Sequence, residues 1–143
     1  MSLDANKAVI GRLAAALNAG DPSAGLEIWA DDLVLNGQTV GAATIAQMRA
    51  PLWAAVADIR FTPQRLIAEA DWVAVHWSVT GTHTGDFSHP VFGAAKASGR
   101  PFRMTYMDHY RIADGRIVEV WEVRDALTLL QQLGVIPAAQ PVS

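Results

Sequence analysis

The stretch from Arg103 to Asp125 reads RMTYMDHYRIADGRIVEVWEVRD. Two runs of alternating side chains flank Ala113-Asp114-Gly115, and Asp-Gly between such runs is a strong hairpin signal. Strands are therefore predicted over about 100–112 and 116–124. Beyond them Asp125 caps a helix carrying Ala126, Leu127, Leu130 and Leu133, which Gly134 and Pro137 end. If Gly115 is the left-handed residue of a three-residue loop, Ile112 pairs with Arg116. Tyr110 then faces Val118, Asp108 faces Val120 and Tyr106 faces Glu122, all on one face. Asp108 and Glu122 become diagonal neighbours about 7 Å apart. A two-residue loop instead puts the two carboxylates on opposite faces.

Upstream, an extended run from Ile59 to Glu69, a tight Ala70-Asp71 turn and a run from Trp72 to Thr82 read as a second hairpin. Val73, Val75, Trp77 and Val79 share its core face, with Trp72, Ala74, His76, Ser78 and Thr80 on the milder side. Between the hairpins, His83 to Gly99 holds Gly85, Pro90, Gly93 and Gly99, the composition of a long irregular connection. The N-terminal part is helical in period. Ile10, Leu13, Ala14 and Leu17 form a stripe from about Asp4 to Asn18-Ala19-Gly20. Asp21-Pro22 restarts a helix that runs to about Ala30, and Ile45, Met48, Leu52 and Val56 mark a third that Pro51 kinks or splits. Helices followed by antiparallel strands and a closing helix make an α+β fold with helices on one side of a curved sheet.

The 143 residues fit one domain, 1–143, with a core over about 4–134 and a tail from 135. Cysteine is absent, which excludes disulfides, thiolate metal sites and a thiol nucleophile. A net charge of -3 without a basic stripe argues against nucleic acid. No apolar run approaches the ~18 residues of a membrane span. Met1 to Gly20 mixes Asp4, Lys7 and Arg12 into its apolar residues, unlike a secretory leader, so the expected location is cytoplasmic. Apolar residues reach 51%, an excess that fits a pocket or subunit interface as well as an alanine-rich bias.

An apolar setting and a neighbouring like charge both penalise an ionised carboxyl. The Asp108 and Glu122 pair therefore suits proton transfer, with Glu122 the first candidate because Val118 and Val120 share its face. The alternative is a pair of ordinary surface carboxylates. His83, where a strand enters the long connection, is either a pocket donor or a hydrogen-bonding anchor for loop carbonyls. His83, Asp86 and His89 lack the spacing of a metal site on a rigid element, so none is expected. Arg111 and Trp121 point to the other face, where a homodimer contact is one use for an exposed aromatic.

Three segments carry a likeness to a known family: Gly81 to Phe87 (GTHTGDF), Tyr110 to Glu119 (YRIADGRIVE), and Trp121 to Asp125 continuing into Leu129 to Gly134 (LLQQLG). With the opening helix ending Leu17-Asn18-Ala19-Gly20-Asp21, their order and spacing resemble the SnoaL-like polyketide cyclases of the nuclear-transport-factor-two-like superfamily. The resemblance implies a strongly bent antiparallel sheet wrapped around N-terminal helices into a cone with an apolar pocket. It implies a cofactor-free enzyme closing a ring by intramolecular aldol condensation, with a small apolar or aromatic carbonyl compound as ligand. The family's catalytic aspartate falls at Glu122, and a histidine present in some members falls at Asp108. His83 matches the family pattern, while the pocket-mouth segment is the longer 93–101 here. Catalytic candidates are thus Glu122, Asp108 and His83. Substrate-binding candidates are Tyr106, Tyr110, Val118, Val120, Phe87 and Trp53.

Overall fold

The structure, a computed structural model, describes residues 2–137; the tail residues 138–143 lie outside them. Helix α1 (Leu3–Leu17) starts where the Ser2 hydroxyl accepts from the Ala5 amide at 3.0 Å. It buries Val9, Ile10, Leu13 and Leu17. Asn18 then fixes its end to the sheet, donating to the Phe61 carbonyl at 2.9 Å and accepting from the Phe61 amide at 2.7 Å.

The helix expected from Asp21 to Ala30 is reduced to turns. Asp21 accepts from the Ser23 amide, and a single 3-10 turn, Leu26–Ile28, leads into a strand. Gly25 is the reason, at φ 74°, because a Cβ there would meet the Ala16 Cβ at 2.4 Å. Two strands that the periodicity did not reveal follow, β1 (Trp29–Leu35) and β2 (Gln38–Gly41). They are joined by Asn36-Gly37 with φ of 49° and 87°, a two-residue hairpin turn. Helix α2 (Ala43–Ala55) runs through Pro51 as one element, so the proline does not split it. The missing amide is tolerated because Leu52, Trp53 and Ala55 just beyond are buried and hold the last turn against the core.

Both expected hairpins form. Strands β3 (Arg60–Glu69) and β4 (Trp72–Thr82) meet at Ala70-Asp71, and Val73, Val75, Trp77 and Val79 are the buried face. The connection after them is more ordered than its glycines suggest. Phe87–His89 (β5) and Gly93–Ala95 (β6) make a small antiparallel ribbon. Strands β7 (Pro101–Ala113) and β8 (Arg116–Arg124) complete the main sheet. Helix α3 (Ala126–Leu133) is capped by Asp125 and stopped by Gly134 in the left-handed conformation. Gln132 anchors it by a two-way amide contact with the Arg103 backbone, at 2.8 and 2.9 Å.

The strand order is β2-β1-β8-β7-β4-β3. It is a strongly curved, mixed sheet rather than a wholly antiparallel one, because β1 runs parallel to β8. That pairing covers what would have been the open edge of β8. The six strands and the helices build an α+β cone, with α1 and α2 inside the curve.

The register of β7 and β8 corrects the sequence reading in an instructive way. Asp114 and Gly115, at φ 51° and 76°, form a two-residue turn, and Ala113 pairs with Arg116. Such a turn alone would set the carboxylates on opposite faces. Val118, however, has no partner, since Ile112 pairs with Ile117 and Arg111 with Glu119. This bulge restores the parity. Tyr110 now faces Val120, Tyr106 faces Arg124, and Asp108 lies directly opposite Glu122, closer than the diagonal placement.

Candidate active site

Cross-strand partners have Cβ atoms about 4.5–5.5 Å apart, so Asp108 and Glu122 sit side by side on the concave face. They form the floor of a cavity of about 60 Å³ roofed by Leu13 and Leu17 of α1 and by Arg49 and Trp53 of α2. Its walls are aromatic. Trp53 stacks on Phe61 at 5.3 Å between centroids, Phe61 meets Trp77 and Tyr106 edge-on at 6.1 and 5.5 Å, and Trp29 meets Tyr110 edge-on at 6.3 Å.

A directional hydrogen-bond chain reaches Asp108. The Trp77 indole donates to the Tyr110 hydroxyl at 3.1 Å, and that hydroxyl donates to Asp108 Oδ2 at 2.7 Å. An indole is a donor only, so the sense of the chain is fixed. Burial pushes the Asp108 carboxyl up to about 8, helped by the charge of Glu122, while the Tyr110 bond and Arg124 pull it down. At neutral pH Asp108 thus carries a proton. Oδ2 accepts from Tyr110, and Oδ1 is a buried atom without a partner among the described residues. Burial, with the charge of Asp108, also drives the Tyr110 hydroxyl well above its ordinary value.

Glu122 has a different setting. Its Oε1 accepts from Arg124 at 3.1 Å, and its backbone amide is held by the Asn36 side chain at 2.8 Å. The Arg124 guanidinium lies 5.1 Å over the Tyr106 ring. Burial works against the Arg124 charge, but Tyr106, Glu122 and Asp108 together outweigh it and raise its pKa. The two carboxyls are therefore differentiated, one neutral in an apolar pocket and one paired with a cation, which is how a site separates an acid from a base.

Of the sequence candidates, Asp108, Glu122, Tyr106, Tyr110 and Trp53 line this cavity. Val120 is buried in the core beneath it, and Val118 is the half-buried bulge residue; neither lines it. Phe87 lies in an adjoining cavity of about 90 Å³ shared with His89, Phe92 and Leu129, on the other side of Arg124. His83 is not brought to the carboxylates. It is fully buried, with Nδ1 2.9 Å from the Ser98 hydroxyl and 3.3 Å from the Ser98 amide. Its backbone bonds to Arg100 and Gly99, so it fastens the connection to the start of β7. Among the described residues no three His, Asp or Glu side chains gather to hold a metal.

Sequence reasoning passed over Arg49, Arg124, Trp29 and Trp77. Two signals were present. Arg124 follows Glu122 by two residues on one strand face, and Arg49 sits four residues after Ile45 on the apolar stripe of α2, where an arginine is out of place unless it serves a site.

The model of the SnoaL-like polyketide cyclase domain matches residues 7–133. This chain belongs to that family. Two solved structures are similar to it. AclR of Streptomyces galilaeus, a candidate hydroxylase, is 28% identical, with 97% of this chain and 87% of AclR covered at a TM-score of 0.83. IdmH of Streptomyces antibioticus, a candidate polyketide cyclase, is 30% identical, covering 90% of this chain and 98% of IdmH at a TM-score of 0.73. No curated protein matches the chain. Among the described residues of this SnoaL-like domain, no helix is long and apolar enough to cross a membrane.

Proposed function

We propose that the protein is a cofactor-independent acid/base enzyme that closes a ring in a small apolar or aromatic carbonyl compound by an aldol-type step. The observation that carries this reading is the facing pair, Glu122 beside Arg124 and neutral Asp108 beside Tyr110. Glu122 takes a proton from a carbon acidified by flanking carbonyls. The enolate carbon then attacks a ketone of the same molecule, and Asp108 delivers its proton to the new alkoxide. Glu122 returns the abstracted proton to Asp108 across the strand pair, so the product is an isomer of the substrate and no other reactant is consumed. Mass spectrometry on a linear polyketone ester incubated with the protein tests this: a cyclic product of unchanged mass is expected. The likeness to AclR raises a second reading, hydroxylation, which needs molecular oxygen and a two-electron reductant supplied from outside and yields a product heavier by one oxygen. A ligand recovered unchanged supports a noncatalytic binder instead.

The same reading includes a homodimer formed through the outer face of the sheet. Ile67, Met107, Trp121 and Val123 are 61%, 55%, 42% and 69% exposed there, and the strand pairings make them neighbours. Glu119 steadies this face, bonding Arg111 at 3.1 Å and the Trp121 indole at 2.8 Å. A second copy is the natural cover for an apolar patch that the described residues leave open. Light scattering is expected to give twice the chain mass for the parent and a monomer for Met107→Lys combined with Val123→Lys. A parent that is monomeric at high concentration sinks the dimer.

A further inference from the structure

Residues lining the cavity carry buried donors without partners. Five buried side-chain polar atoms lack partners among the described residues, and three of them, Trp29 Nε1, Trp53 Nε1 and Asp108 Oδ1, belong to residues that line this one space. Both indole atoms can only donate. Orphaned buried donors are uncommon enough to require an explanation.

The charge is unbalanced in the same direction. Arg49 is 8% exposed, and among the described residues it forms no ion pair with a carboxylate. Among the described residues its hydrogen bonds run from one nitrogen to the carbonyls of Pro22 and Ala24, at 3.2 and 3.1 Å. These bonds fix the guanidinium, 6.0 Å over the Trp53 ring, and leave its other nitrogens free. Glu122 is already engaged by Arg124. Two guanidiniums thus face one carboxylate, while Asp108 is a neutral donor. A buried cation with no counterion is costly in an apolar site.

We infer that the cavity is built to take an anionic oxygen group of its ligand, a carboxylate, held by Arg49 and by the indole N–H groups of Trp29 and Trp53. Such a group supplies both the missing charge and the missing acceptors. It also defines the substrate class more narrowly than an apolar carbonyl compound: the ligand enters carrying a negative charge, and its apolar remainder packs on the aromatic walls. This inference rests on the cavity being the ligand site, but not on the ring-closing chemistry.

Calorimetric titration of the full chain with benzoate and with its neutral isostere benzamide tests it. Benzoate is expected to bind at least about tenfold more tightly, the scale of a hydrogen bond to a charged partner. Arg49→Met is expected to erase that preference. Trp29→Phe and Trp53→Phe, which keep an aromatic wall and remove one donor each, are expected to weaken benzoate severalfold and leave benzamide unchanged. If Arg49→Met does not fold, the two tryptophan variants carry the test alone. Equal affinity for the two probes, no binding of benzoate, or tryptophan variants that bind benzoate like the parent overturns the inference. Glu122→Gln keeps the anion site and is expected to bind benzoate at least as tightly as the parent. Loss of turnover in that variant thus reads the acid/base chemistry, and benzoate affinity reads the anion site.

Discussion

Glu122→Gln is expected to lower turnover by about 10²- to 10⁴-fold, the usual contribution of a positioned general base, while ligand affinity stays within about threefold. The substitution is nearly isosteric. Glutamine keeps an amide oxygen where Oε1 accepts from Arg124 at 3.1 Å, and the backbone bond to Asn36 is untouched. What disappears is the ability to take a proton, together with the negative charge beside Asp108. Single-turnover kinetics with the ring-closing substrate, set against equilibrium binding of an inert analogue, separates the two effects. A variant retaining more than a tenth of parental turnover removes Glu122 from the role of base.

The second large effect concerns stability. Asp108→Asn is expected to make the folded protein more stable than its parent at pH 8, by at least about 2 kcal/mol, and equally stable at pH 4. The sign follows from proton counting. Burial and the charge of Glu122 raise the Asp108 pKa to about 8, whereas in the unfolded chain it is near 3.9. Between those values the native state holds a proton that the unfolded state has released, so parental stability falls as pH rises through the window. The full gap of about four units corresponds to an upper bound on the order of 5 kcal/mol. Asparagine cannot ionise, so it escapes this loss, and it still offers an oxygen to Tyr110. Paired urea denaturations across pH 4 to 8 measure the divergence. A constant difference between the two proteins shows that Asp108 is not held neutral by the fold. The same variant is expected to lose proton donation to the alkoxide, so stability rises where activity falls.

These two residues were legible in the sequence for a reason that the structure makes clear. Alternation fixes the face of a residue by its parity along the strand, and the Asp114-Gly115 turn fixes where counting begins. The observed pairing differs from the expected one by two residues near Asp108, one from the turn and one from the Val118 bulge. Two shifts of one residue preserve the face. The bulge itself leaves no mark in the residue types around Val118, so its place was not readable. The β1–β2 pair escaped for a different reason. β1 finds its second neighbour, β8, far along the chain and in parallel, a contact that local periodicity does not encode, although Asn36-Gly37 announced the turn between them. The donors of the site are not legible in the sequence. Trp29 looks like a core aromatic and Trp53 like a pocket wall, and nothing in the sequence marks their indole nitrogens as unpaired.

The central position of β7 and β8 in the strand order makes the sheet a ruler. Each has hydrogen-bonded neighbours on both sides, and Asp108 and Glu122 face each other across their shared ladder. The spacing of the two carboxyls is therefore set by the repeat of backbone pairing and cannot drift with loop motion or be retuned by a surface substitution. Variation in what the cavity accepts has to come from its roof, α1 and α2, and from the β5–β6 ribbon beside Arg124. Helices and ribbon can then be rebuilt for another ligand without altering the distance between the two carboxyls.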